Sequence, residues 1–191
     1  MLPQVPDMEN ENLLFIIPSA DYLEEIRSYR QEFLDEGGSM DGTGPLRRIS
    51  DPAEWLRETE RCRDPATVPE GKVQATQFIC VREGDNCVAG MLQVRHTFND
   101  YLAKYGGHIG YSVRPSERKK GYAKWMLRQG LDFCRTIGLP RVLITCKAGN
   151  EASRRTILAN GGIYENTVVE PEEEIGLERY WVDLSLPWDQ Q

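Results

Sequence analysis

Residues 107–138 constrain the architecture of this chain more than any other stretch. They open as "GHIGYSVRP", in which Ile109, Tyr111 and Val113 alternate with His108, Gly110 and Ser112, the period of a strand with two unlike faces. A basic turn follows, and then a helical stripe of Ala123, Met126, Leu127, Gly130, Leu131, Cys134 and Ile137, with Lys124, Arg128, Asp132 and Arg135 pointing elsewhere. Gly138 and Pro140 end the helix in the order expected of a C-terminus. Beyond it "RVLITC" is a buried strand. The strand at 108–113 therefore ends beside a parallel neighbour, where open α/β sheets bind ligands.

The turn itself, "VRPSERKKGYA", sets Arg114, Arg118, Lys119 and Lys120 around the entrance to that helix. Helix N-termini expose unpaired N–H groups and carry about half a positive charge, so they attract anions. The arginine and lysines add full charges, Gly121 lets the backbone approach a ligand, and Ala123 keeps the first turn small. Together they make a cradle for a diphosphate. The competing reading is a solvated basic loop. Neither GK[ST] nor GxGxxG occurs, which sets aside the phosphate loop of NTPases and the dinucleotide fingerprint.

The rest of the chain surrounds this unit. Leu13–Ile17 reads as a strand ended by Pro18, and "SADYLEEIRSYRQEFLDEGG" as a helix capped by Ser19 and stopped at Gly37-Gly38. "SMDGTGPLRRISDP" is a long loop, either a binding lid or a floppy surface excursion. Asp51 and Pro52 open a second helix through about Arg63. A hairpin turns at Gly84-Asp85-Asn86, with Val88, Gly90, Leu92 and Val94 alternating against Ala89, Met91, Gln93 and Arg95. "NEASRRTILANGG" is a helix from Asn150 to Gly161, and two strands follow near 163–169 and 177–184. The expected order is β-α-α-β-β-β-α-β-α-β-β in a single α/β domain over residues 1–191, with 1–12 frayed, one strand and two helices in 13–75, and the remaining core in 76–184.

The totals exclude several classes. A net charge of −7 and a pI near 5.0 disfavour nucleic-acid binding by a basic surface. No run approaches the roughly 20 apolar residues of a membrane span, and the start has no basic n-region of a signal peptide. Five scattered cysteines without a CxxC pair point to reduced thiols in a cytoplasmic protein and to no structural metal.

Two segments carry a family resemblance. "RKKGYA" resembles motif A of the GNAT (GCN-related N-acetyltransferase) superfamily, [RQ]-x-x-G-x-[GA], with Arg118, Gly121 and Ala123 at its fixed positions. "CKAGNEASRRTILANGG" resembles motif B, with Asn150, Ser153 and Gly161 in place. The likeness covers residues 76–184 well and the first 75 in general scheme, and within the superfamily it is nearest to the bacterial "predicted acetyltransferase" group. It implies a mostly antiparallel, twisted sheet of about seven strands, splayed between the fourth and fifth, with about four helices. It also implies acetyl-CoA as cosubstrate, an amine acceptor, and the homodimers common in the superfamily.

Residue by residue, the resemblance implies that Tyr111, Ser112 and Val113 offer main-chain groups to the pantetheine arm. The amides around Arg118, Lys119, Lys120, Gly121, Tyr122 and Ala123 hold the pyrophosphate. Tyr111 N–H binds the thioester oxygen, and Asn150 and Ser153 sit beside the cofactor, although Asn150 is equally an ordinary N-cap. The family's usual Glu base is missing from "YGGHIGY", which leaves His108 as the nearest titratable group, or else a hydrogen-bonded strand histidine. The family's usual motif B tyrosine is Ile157 here, with Tyr164 as a substitute and Tyr180 a more distant one. Cys146 is read as a buried thiol in preference to an acyl carrier. Glu170, Glu172, Glu173 and Glu174 either border an acceptor pocket or form a solvated acidic turn. An N-acetyltransferase is the leading reading, and a CoA-binding sensor without turnover is the alternative.

Overall fold

A computed structural model describes residues 12–185, so all but Asn12 of the expected frayed start lies outside the described residues. Seven strands form one sheet in the order β1-β2-β3-β4-β5-β7-β6. They are β1 (Leu13–Ile16), β2 (Ala75–Arg82), β3 (Cys87–Arg95), β4 (Ile109–Val113), β5 (Arg141–Lys147), β6 (Ile163–Glu170) and β7 (Ile175–Asp183). Every neighbouring pair is antiparallel except β4 and β5. The helices are α1 (Leu23–Glu36), α2 (Pro52–Arg63), α3 (Tyr122–Thr136) and α4 (Glu151–Leu158). This is the fold class the sequence implied.

Each face of the sheet carries its own core. On one face α3 and α4 cover Phe78, Leu92, Val94, Ile109, Ile144 and Tyr180, and α3 contributes Met126, Leu127, Leu131 and Cys134, all fully buried. Burying each of the larger side chains among them is worth about 1.5–3 kcal/mol. On the other face α1 and α2 bring Ile26, Tyr29, Phe33 and Trp55 against Ile79 and Met91. The alternation expected in β3 breaks at a bulge, where Cys80 pairs with Gly90 but Val81 with Val88. The extra residue turns Val88 to the α1/α2 face while Leu92 and Val94 stay on the other.

Local chemistry sets the helix ends. Ser19 Oγ accepts Asp21 N–H (3.4 Å) at a short 3₁₀ turn over Ala20–Tyr22 that leads into α1, and Gly37 closes α1 at φ 80°. Asp51 Oδ1 accepts Ala53 N–H (3.0 Å), with Pro52 in the first turn of α2. The glycine-rich loop between these helices is packed, neither floppy nor free. Trp55 Nε1 donates to Thr43 O (2.7 Å), Met40, Thr43 and Leu46 are buried, and Gly42 at φ 73° lies against Gly110 of β4. A π-turn over Leu102–Gly106 has no counterpart in the sequence reading, which took this stretch as a polar turn.

Candidate functional site

β4 and β5 are joined at one level. His108 N–H donates to Leu143 O (2.7 Å), Leu143 N–H donates to His108 Nδ1 (2.9 Å), and Ile109 stands beside Ile144. Past that level the strands share no further pair, so a crevice opens toward the end of β4. On its other edge β4 keeps a regular ladder, bracketed by Arg95 N–H to His108 O (2.7 Å) and Arg114 N–H to Ala89 O (2.9 Å). Alternate residues of an antiparallel strand turn their main-chain groups to the same neighbour. Gly110 and Ser112 therefore face β3, while Tyr111 and Val113 present N–H and C=O to the crevice.

Ser112 is committed elsewhere. Its Oγ donates to Asp41 O (2.7 Å), and its carbonyl accepts the buried Tyr29 hydroxyl (3.0 Å), tying β4 to α1 and the α1–α2 loop. Of the three residues expected to serve the arm, Tyr111 and Val113 have the right orientation.

The Tyr111 side chain adds a feature the sequence did not suggest. Its hydroxyl lies 2.9 Å from Ser153 Oγ in the first turn of α4, which links β4 to α4 across the crevice. Burial holds this phenol well above its ordinary pKa, with Ser153 partly offsetting the effect, so it stays protonated and able to donate. Asn150 Oδ1 accepts Ser153 N–H (3.2 Å), which is the N-cap role. Tyr111, Asn150 and Ser153 are thus brought together.

The basic turn follows β4 directly. Lys119 (φ 66°) and Gly121 (φ 91°) are both left-handed, and Gly121 gives α3 no side-chain cap. The first amides of α3 therefore remain available to an anion. Three of the turn's four cations are also used by the fold, Arg114 through Glu25 (2.9 Å) and Glu32 (2.6 Å). Arg118 pairs with Glu36 (2.7 Å) and lies over the Phe33 ring, and Lys120 pairs with Glu117 (2.7 Å). Glu117 is buried and holds Arg82 as well (2.7 Å); burial opposes its charge, but Lys120 and Arg82 outweigh that and keep its pKa low. Lys119 is exposed and has no such partner among the described residues. A left-handed turn, uncapped amides and a free lysine fit a diphosphate.

The structure corrects the expectation for His108. The ring is buried between Phe98 and Trp181, and burial first, then Arg95, pull its pKa down to about 4. Nδ1 already accepts from Leu143, so the neutral ring carries its proton on Nε2. It is a wedge between strands and not a base. Tyr164 is corrected too. It is half-exposed on edge strand β6, two strands from β5, with its hydroxyl 2.9 Å from Thr167 Oγ1.

Ile157 is fully buried in the core. Tyr180 donates to Glu178 (2.7 Å), which also pairs with Arg154. Burial, then Glu178, raise the Cys146 thiol to about 11, consistent with an inert thiol. In the acidic turn Glu170 is buried and accepts from Glu172 N–H (3.0 Å) and Glu173 N–H (2.7 Å), while Glu173 pairs with Lys147 (3.1 Å). Part of that cluster therefore serves its own turn. No helix among the described residues is long and apolar enough to cross a membrane.

Among curated proteins none matches the chain. Solved structures do. The ribosomal-protein-S5-alanine acetyltransferase from Vibrio fischeri is similar at 14% identity and TM-score 0.70, over 92% of this chain and 96% of that one. The acetyltransferase yncA from Salmonella typhimurium, a structure with acetyl-CoA, is similar at 14% identity and TM-score 0.63, over 92% and 96%. The Microcin C7 self immunity acetyltransferase MccE, in complex with acetyl-CoA and AMP, is similar at 16% identity and TM-score 0.67, over 92% and 93%. At these identities the likeness is one of fold. The model of the Acetyltransferase (GNAT) family matches residues 44–161, more than half of the chain and the whole of the β4–α3–β5–α4 unit. With both motifs lining one crevice, the chain belongs to the acetyltransferase (GNAT) family, whose members take their acetyl group from acetyl-CoA.

Proposed function

We propose that the protein transfers the acetyl group of acetyl-CoA to a primary amine by direct attack. The observation that carries this reading is the crevice between β4 and β5, with Tyr111 main-chain groups facing it and the uncapped N-terminus of α3 at its end. Acetyl-CoA supplies an activated thioester. The amine nitrogen forms the C–N bond, the C–S bond breaks, the ammonium proton is released, and CoA leaves as the thiol. Tyr111 N–H is directed where it can bind the thioester oxygen and stabilise the negative charge that develops on it. The Tyr111 and Ser153 hydroxyls, 2.9 Å apart at the crevice, would offer a hydrogen bond to the departing sulfur. Val113 main-chain groups orient the arm, and the amides from Arg118 to Ala123 with Lys119 hold the pyrophosphate.

Deprotonation of the amine falls to solvent, because β4 has no carboxylate and His108 is withdrawn into the core. An alkylammonium with a pKa near ~10.4 loses its proton in tenfold steps per pH unit below that value. In a free-thiol release assay with acetyl-CoA and an amine panel, kcat/KM is expected to climb with unit slope from about pH 6 to above pH 9. A plateau beginning near pH 7 would instead reveal a side-chain base, and silence across a broad panel would defeat the acceptor class.

Lys119→Glu is expected to weaken acetyl-CoA binding about tenfold, ~1.4 kcal/mol, by calorimetry. Because Lys119 has no partner among the described residues, Tm should stay unchanged. Unaltered affinity would remove the pyrophosphate from this turn.

A further inference from the structure

Glu117 ends a 3₁₀ turn over Pro115–Glu117, and its buried carboxylate is shared by two cations. Oε2 lies 2.7 Å from Arg82 Nη1 and 2.7 Å from Lys120 Nζ, and these two are its ion-pair partners among the described residues. Arg82 comes from the end of β2, outside both motifs, and its guanidinium is held on both edges. Nε and Nη2 grip Asp85 Oδ1 (3.0 Å) and Oδ2 (2.7 Å) as a fork. Nη1 also donates to the hydroxyl of Tyr122 (3.1 Å), the first residue of α3.

The two cations are not equivalent. The Arg82 side chain is 19% exposed and that of Lys120 45%, against 11% for Glu117. Stripping a buried carboxylate of its last counter-ion is strongly destabilising, but Glu117 keeps Arg82 whatever Lys120 does. Arg82 is a planar, anchored fork, whereas Lys120 is a point charge on a flexible stem. Lys120 is therefore the member free to leave. It stands between the left-handed Lys119 and Gly121, just before the uncapped amides of α3. A diphosphate on those amides brings a second anion within the sweep of that stem.

We propose that Arg82 is a positioning residue for the cofactor: by holding the Glu117 carboxylate it releases Lys120 to the pyrophosphate of acetyl-CoA. This rests on the cofactor placement of the acetyl-transfer reading above and adds to it a residue from β2. No covalent bond changes. In the free protein Lys120 rests on Glu117; in the loaded protein it turns to the cofactor, and Arg82 alone neutralises Glu117. Once Arg82 is removed, Lys120 becomes the sole counter-ion of Glu117 and stays there.

Calorimetry with CoA tests this without any acceptor. Arg82→Gln should weaken CoA binding about tenfold, the worth of one charge-assisted contact. Glu117→Gln, which frees Lys120 outright, should bind at least as tightly as wild type. Combining Arg82→Gln with Glu117→Gln should therefore recover the wild-type affinity. In a Lys120→Met protein, itself weakened about tenfold, Arg82→Gln should add nothing. If Arg82 served only stability, the double variant would bind no better than Arg82→Gln, and the Lys120→Met protein would be weakened again; either result overturns the inference. So does an Arg82→Gln protein that binds CoA like wild type. Should Arg82→Gln fail to fold, the other two single variants decide: no loss in Lys120→Met, or an equal loss in Glu117→Gln, overturns it. Failure of the wild type to bind CoA would defeat the cofactor placement and this inference together. CoA binding without acetyl transfer to any amine would defeat the reaction alone.

Discussion

Gly42→Ala should cost about 3 kcal/mol or more of folding stability, a large effect for one methyl group. Gly42 sits at φ 73°, and a Cβ there would lie 2.5 Å from Tyr111 N and closer still to Gly110 O and C. All three are backbone atoms of β4, so no side chain can swing aside. Either the loop over residues 40–46 lifts off the sheet or β4 shifts. Gly71→Ala supplies the comparison, since Gly71 has a similar φ of 77° and nothing within 4 Å of its would-be Cβ. It should show only the backbone strain of a left-handed alanine, about 1–2 kcal/mol. Urea unfolding reads both as shifts of the midpoint at constant slope. Equal costs at the two sites would mean that the loop does not press on β4. Because the displaced atom is Tyr111 N, acetyl transfer by Gly42→Ala should fall further than its stability alone accounts for.

The second large effect is a dependence on acid. His108 binds its proton with a pKa of about 4 in the fold and about 6.5 in the unfolded chain. Between those values the unfolded state binds more protons, so stability is fully present above pH 6.5 and is lost as pH falls toward 4. The loss attributable to this one ring is about 3 kcal/mol. His108→Asn offers Leu143 N–H an oxygen acceptor but no titrating ring. It should therefore be the less stable protein at pH 7 and lose markedly less than wild type between pH 6.5 and 4. Parallel stability curves for the two proteins would show that the ring is solvated and not a wedge.

Both predictions concern contacts that the sequence reading did not foresee, which shows where its reach ended. Periodicity and end signals located every strand and helix of the sheet, because alternation, helical spacing, Asp51-Pro52, Gly37 and Gly138 act through the nearest few residues. The two motifs located the crevice for the same reason: a strand, a left-handed turn and a helix start are local structures. The failures are long-range. Nothing near Val88 in the chain reveals that a bulge opposite Cys80 turns it to the other face. His108 looks like a titratable group on a strand until Leu143, Phe98 and Trp181 close around it. Tyr164 was close to the motif in sequence, but β7 lies between its strand and β5.

The narrow join of β4 to β5, with His108 on Leu143 and Ile109 beside Ile144, has a mechanical consequence. Hydrogen bonding divides the sheet into two plates, strands β1 to β4 and strands β5 to β7, hinged at that join. The gap beyond the hinge is held at its width by α3 and α4, which bridge the plates through apolar packing, and by the clasp of Tyr111 on Ser153. Apolar packing resists being pulled apart but tolerates small sliding, so the slot can widen by a slight roll of one plate without any ladder being broken. The tightness of cofactor loading is then a property of the helices, and volume changes at Met126, Leu131 or Ile157 should tune it from a distance.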